Sequence, residues 1–178
     1  MRGMKRLYLP LILFLFLVLE GVALELLPSS LINNYSLIIP HWIFVILVFI
    51  TIFYDLEDTY YSILYAVIFG LLIDVVYTGV LGVYMFSYAF SIYIIHELKR
   101  LVHANFYVTM IMGILGLAIA DLSIHMIFKV VGIIDIFWVD YLIYRLLPTL
   151  LANLIFLIIF YPIVKQRFIK WGSEQLSS

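Results

Sequence analysis

Cysteine is absent from all 178 positions, which removes disulfides, thiol nucleophiles and cysteine-ligated metal sites from consideration. Charge is nearly as scarce. Charged residues make up 12% of the chain and the formal net charge is −1, against about 25% charged residues in a soluble domain. That is too little to cover a water-facing surface, and no basic tract suggests nucleic acid. Catalytic signatures are missing as well. No G-x-S-x-G, H-E-x-x-H or paired-aspartate pattern occurs, so nothing points to an intramembrane enzyme, a cofactor or a metal. What the chain has instead is 66% hydrophobic residues and a mean hydropathy of +1.19. These values describe an integral membrane protein whose surface is met by membrane lipid.

Apolar windows fall at 7–27, 37–54, 60–77, 79–96, 105–127 and 140–163, each near membrane length at about 1.5 Å per residue. Helices are the expected form, because lipid leaves an open strand edge unsatisfied. Counting Lys and Arg sets the direction. With the N-terminus inside, Arg2, Lys5, Arg6, Lys99, Arg100, Lys165, Arg167 and Lys170 share the cytoplasmic side, while only Lys129 lies opposite. Five spans would move the last three outside. The expectation is a single all-α membrane domain over 1–178, a bundle of six transmembrane helices with both termini cytoplasmic. Arg2, Lys5 and Arg6 before an apolar run, with Gly21-Val22-Ala23 behind it, mimic a signal peptide, but Glu20 and the length of the run favour a retained helix. The Asn34-Tyr35-Ser36 sequon carries no weight. Tyr8, Trp42, Tyr54, Tyr60, Tyr61, Trp138, Tyr141, Tyr161 and Trp171 sit near segment ends and read as interfacial anchors.

Inside the apolar windows lie Glu20, Glu25, Asp74, Asp121, His125 and Arg145. Each would cost about 2.5–3.5 kcal/mol at a helix centre on insertion scales, so each should face the bundle interior or a wet cavity. Counting along the helices puts Glu20, Asp74, Asp121 and Arg145 in the outer half of the membrane. A guanidinium fork suits one or two carboxylates. The expectation is a structural polar network with Arg145 as hub, Asp74 or Asp121 as its first partner and Glu20 nearby; His125 shares a helix face with Asp121. A proton relay or cation site is the functional alternative, though His41, His96 and His103 all read as remote from His125. The acidic turn Asp55, Glu57, Asp58 could suggest a divalent-ion site or a contact for a basic partner, but with no further oxygen ligands evident it reads as solvated, with Asp58 capping the third helix.

Small residues accompany the acids. Ala66-x-x-x-Gly70 and Gly116-x-x-x-Ala120 place small side chains one turn apart, where helix backbones approach closely. Asp74 and Asp121 follow four residues and one residue later. Gly79 and Gly82 are expected to serve the reversal between helices three and four, since glycine accepts positive φ.

The stretch Phe69-Gly70-Leu71-Leu72-Ile73-Asp74-Val75-Val76-Tyr77-Thr78-Gly79-Val80-Leu81-Gly82 resembles the best-marked segment of the MreD family, a G-L-L-x-D core followed by a glycine turn and a long apolar helix. His96-Glu97-Leu98-Lys99-Arg100, Arg145 to Asn153 and Tyr161-Pro162 look similar too. The acidic entry to helix three departs from the family pattern, so no contact is carried over there. The resemblance implies a non-enzymatic membrane scaffold of the bacterial cell-elongation machinery. It would bind MreC through membrane helices and work indirectly with MreB, RodA and its transpeptidase partner. It also implies an architecture similar to the substrate-binding components of energy-coupling-factor transporters. That similarity supplies the alternative of a small-molecule or lipid transporter subunit. Such subunits contact their partner through A-x-x-x-A on the first helix, whereas here Gly21 and Ala23 are not four apart. Whether the chain forms a homodimer stays open.

Overall fold

The computed structural model describes the backbone of residues 2–26 and 38–176, and the side chains of 8–26 and 38–174. The sequon at Asn34, the expected window ends at 27 and 37, and the side chains of Arg2, Lys5 and Arg6 lie outside these residues. The described chain is helical and contains no strand. Helix α1 is Arg2–Leu26, α2 is Trp42–Phe53, and α3 is Tyr61–Ile73, prolonged by a π turn at Asp74–Thr78. Helix α4 is Val83–Lys99 and α5 is Phe106–Val130. The last, α6, runs continuously through Trp138–Asp140, a π segment at Tyr141–Leu146, and Leu147–Leu176.

Among the described residues, four stretches are long and apolar enough to cross a membrane: Tyr8–Leu26, Tyr61–Thr78, Phe106–Val130 and Trp138–Glu174. Two of the six expected windows give shorter helices. Helix α4 has 17 residues. Helix α2 has 12, a length of about 18 Å where the hydrocarbon layer is about 30 Å thick. Its sequence, WIFVILVFITIF, is apolar on every side, which is the pattern of a helix buried all round. Every residue from Ile43 to Phe53 is buried, and α2 packs against α1, α3, α4, α5 and α6. It is the axis of the bundle, and the other helices wrap it.

Contacts fix alternating helix directions. At one end, Tyr8 stacks on Trp171, Gly172 sits beside the carbonyls of Phe53 and Tyr54, and Lys99 reaches the carbonyls of Thr51 and Asp55. At the other end, Glu20 meets Ile43, Tyr77 reaches Leu17, and Tyr141 meets Asp121. The outer helices turn apolar side chains outward, including Leu11, Phe14 and Leu15 on α1, Phe86 and Phe90 on α4, and Ile155 and Ile159 on α6.

The glycines make close approach possible. A Cβ at Gly70 would lie 2.6 Å from Met85 Cα, so α3 and α4 touch backbone to backbone there, with Ala66 buried one turn earlier. Gly116 faces Ile95 and Phe44, and Ala120 is buried. Gly79 and Gly82 have φ of 68° and 95°, the left-handed region that glycine enters without strain.

Four local expectations are corrected. Helix α6 continues past residue 163 to Leu176. Asp58 does not cap α3; Asp55 Oδ2 accepts the Ser62 N–H at 2.9 Å and the Ser62 hydroxyl at 2.5 Å. Asp55 is buried rather than solvated, and that burial raises its pKa above the ordinary carboxylate value. Tyr54, Tyr141 and Tyr161 are interior residues rather than interfacial anchors, because each has a partner side chain within the bundle: Tyr54 packs edge-on against Tyr61, Tyr141 bonds Asp121, and Tyr161 packs against Phe49, Phe53 and Phe106.

Candidate functional site

The acids do not form one network around Arg145. They divide into two helix caps and one cluster. Asp74 is fully buried at the start of the π turn that ends α3. Its Oδ1 accepts the Tyr84 N–H at 2.9 Å, and its Oδ2 accepts those of Gly82 at 2.9 Å and Met85 at 3.1 Å. The first N–H groups of a helix have no partner within it and carry partial positive charge. Asp74 therefore serves α4 as a cap supplied from the preceding helix, and it makes no ion pair with Arg145. The glycine turn is what folds the chain back far enough for this contact.

Glu20 plays the same part for α2. Its Oε2 accepts the Ile43 N–H at 3.1 Å, joining α1 to the first turn of the central helix. Asn153 on α6 secures the same entry. Its Oδ1 accepts the His41 N–H at 2.7 Å, and its Nδ2 donates to the carbonyls of Ile39 and Thr149. The Thr149 hydroxyl in turn accepts the Ile39 N–H at 3.2 Å. Glu20 and Asn153 thus satisfy backbone that has no water to turn to.

The cluster is centred on Asp121, fully buried on α5. The Tyr141 hydroxyl donates to its Oδ2 at 2.7 Å. Its Oδ1 faces His41 Nε2 at 3.5 Å and Arg145 Nη2 at 3.7 Å. On the far side of the imidazole, His41 Nδ1 lies 2.7 Å from the Tyr88 hydroxyl. His125 completes the group by stacking on Tyr141, ring centroids 3.7 Å apart, with Trp138 edge-on at 5.2 Å. Residues from α2, α4, α5 and α6 therefore meet around one carboxylate. Arg145 is a peripheral member, held 8% exposed, and Asp121 is the hub.

The structure brings Asp121 and Arg145 together, with His125 beside them through Tyr141, and adds His41, Tyr88, Tyr141 and Asn153, which the sequence reading did not group with them. A signal for His41 was present. In the expected topology it opens the second helix at the outer end, so the depth count that grouped the acids puts it at the same level. Tyr84, Ser87, Tyr88 and Ser91 form a polar stripe at helical spacing on α4, all four buried, and that stripe was legible too. The two π segments were not. Each contains a buried charge, Asp74 in one and Arg145 in the other, and π turns gather at functional positions more often than elsewhere.

A helical bundle with a short buried axis and an apolar outer surface, whose buried acids Glu20, Asp74 and Asp121 are spent on helix caps and one internal cluster, defines a multi-pass membrane protein. The chain belongs to the MreD family: residues 5–170 match the profile described as rod shape-determining protein MreD. The rod shape-determining protein MreD of Bacillus subtilis (strain 168) is 25% identical over 151 residues, covering 85% of this chain and 86% of that protein. No solved structure matches the chain. Family membership assigns the protein to rod-shape determination and to a family of structural proteins.

Proposed function

We propose that the protein is a non-enzymatic scaffold of the cell-elongation machinery, one membrane domain of six helices with both termini in the cytoplasm. In this reading it binds MreC through helix contacts in the bacterial cytoplasmic membrane and helps to organise lateral-wall peptidoglycan synthesis. Its assembly with MreB, RodA and the transpeptidase partner is indirect. The observation that carries it is where the polar side chains go. Asp74 and Glu20 cap helices, Asn153 ties down backbone, and the Asp121 cluster is sealed between helices. What the bundle offers to a partner is its apolar outer face, and in lipid such faces associate by packing. The site residues act as support for that face.

One feature favours the transporter alternative. A shallow apolar groove of about 310 Å³ runs between α1 and α6, lined by Ala23, Ile38, Trp42, Phe156 and Ile159. Its lining is apolar, as an alkyl chain would need, but its one polar side chain, Asn153, is already bonded to backbone. The groove therefore offers no recognition group for a specific solute.

The test is to co-express the tagged chain with its cognate MreC, purify in mild detergent and identify the molecules that co-purify. MreC at fixed stoichiometry supports the scaffold. A bound small molecule or energising subunits without MreC replaces it with the transporter reading. Arg145→Ala, at matched insertion, should weaken recovery of MreC if the cluster supports the docking face.

A further inference from the structure

We infer that α6 holds an anionic phospholipid, its phosphate at Arg167 and Lys170 and one acyl chain running to the groove between α1 and α6. Helix α6 is longer than the layer it crosses. The stretch Trp138–Glu174 has 37 residues, about 55 Å of helix, where the hydrocarbon layer is about 30 Å thick. No charged residue falls in 146–164, a run of about 28 Å that fills the layer by itself. Lys165, Arg167 and Lys170 come straight after it, so these cations stand at headgroup depth. On the proposed orientation that is the cytoplasmic leaflet, whose anionic lipids attract basic side chains beside a span.

The end of α6 that carries them is docked on the bundle. Phe168 and Gly172 are buried, Gly172 beside the carbonyls of Phe53 and Tyr54, and Trp171 stacks on Tyr8. Lys165 is turned to the ring of Tyr161, 5.1 Å from its centroid. Arg167 and Lys170 are exposed on the other side, and neither has a hydrogen bond or ion pair among the described residues. The neighbouring cations are already spent on backbone. Lys99 donates to the carbonyls of Thr51 and Asp55, and Arg100 to that of Glu57.

Ile159, Ile163, Arg167 and Lys170 follow one another at helical spacing, so they share one stripe of α6. Both isoleucines are more than half exposed. From the end of α6 toward the membrane centre the stripe passes from cations to alkyl side chains, the order in which a phospholipid presents phosphate and chain. The guanidinium offers paired donors to phosphate oxygens, and the ammonium adds a point charge. Ile159 is also a wall of the apolar groove, with Ala152, Phe156 and Trp42. It lies about 12 Å from Arg167 along the helix, and an acyl chain covers about 15 Å, half the hydrocarbon layer. The groove has no recognition group of its own, and for this ligand the two cations supply it.

The experiment is native mass spectrometry of the full chain in mild detergent, titrated with phosphatidylglycerol or with phosphatidylcholine of the same acyl chains. The wild type should retain the anionic lipid about fivefold better or more. Arg167→Gln with Lys170→Gln should bring the two lipids level, while Arg167→Lys with Lys170→Arg keeps the preference. Ala152→Phe, which fills the groove, should lower retention of both lipids. Equal retention by the wild type overturns the proposal, needs no variant to fold, and leaves the cations to orientation alone. A preference that survives the double Gln change puts the phosphate elsewhere and overturns it as well. Retention unmoved by Ala152→Phe overturns the acyl path. Each reading is made in detergent, so it is independent of MreC recovery and of which way the protein faces.

Discussion

Asp74 and Glu20 were grouped with Arg145 on charge and depth, yet each is spent on backbone. A carboxylate has two strong alternatives in a membrane, a cation or the free amides of a helix start, and both lower the cost of burying it. Sequence depth does not distinguish them, because the choice depends on where the neighbouring helix begins. For Asp74 that start is fixed by Gly79 and Gly82, so the glycines and the acid form one unit. Removing the acceptor leaves three amides short. Asp74→Ala should cost about 2–3 kcal/mol, in the range for hydrogen bonds to a charged group. Asp74→Asn, with one acceptor oxygen, should cost less. Denaturation in mixed micelles checks both, and an Ala variant as stable as the wild type would remove the cap. Asp55 gives a prediction of opposite character. Burial raises its pKa in the folded state, so the folded protein holds the proton more tightly than the unfolded chain. Stability then falls as pH rises from the ordinary carboxylate range through the raised value, and levels off above it. Asp55→Asn removes that slope. Thermal unfolding of the two proteins between pH 3.5 and 7 should show the wild type losing ground to the variant as pH rises.

Among the elements, α2 departs most from what hydropathy suggests. Windows 37–54 and 140–163 look alike as apolar runs, but one becomes the 12-residue axis and the other part of an apolar stretch of 37 residues, Trp138–Glu174. The difference lay in side-chain distribution. Apolar character all round, with no polar side chain beyond Thr51 between Ile43 and Phe53, identifies a helix with neighbours on every side. In lipid that pattern is ambiguous, since a lipid-facing helix is apolar as well. The all-helical character was therefore legible, while helix length and helix rank within the bundle were not. The π segments escaped for another reason: a one-residue widening leaves no mark in composition. Mutation separates centre from periphery. Phe49 is fully buried on α2, whereas Phe14 on α1 is 55% exposed. Lipid is as apolar as the core, so a large-to-small change is felt mainly through the cavity it leaves. Phe49→Ala should cost about 2 kcal/mol and Phe14→Ala a few tenths at most, read as unfolding free energies in the same micelles. Equal costs would mean that α2 is not the packing centre.

For the whole molecule, the alternating helix directions and the distribution of Lys and Arg make a joint prediction about the membrane. Lys99 and Arg100 share one end of the bundle with Gly172, and Lys129 lies at the other, where it donates to the Ile136 carbonyl. If positive charge sets orientation, the end with Lys99 is cytoplasmic. The short α4 must then cross with its neighbours. The lack of cysteine makes this directly measurable, because single-cysteine reporters need no background removed. Glu57, Leu101 and Ser173 are exposed in the turns and the tail at one end, and Leu81 and Val130 at the other. In right-side-out vesicles, an impermeant maleimide should label Leu81→Cys and Val130→Cys and spare Glu57→Cys, Leu101→Cys and Ser173→Cys until the membrane is opened. Labelling of Leu81→Cys and Leu101→Cys from the same side would show that α4 does not cross, and the bundle would have fewer spans than helices. Labelling with the two sets exchanged would keep the helix count and invert the protein.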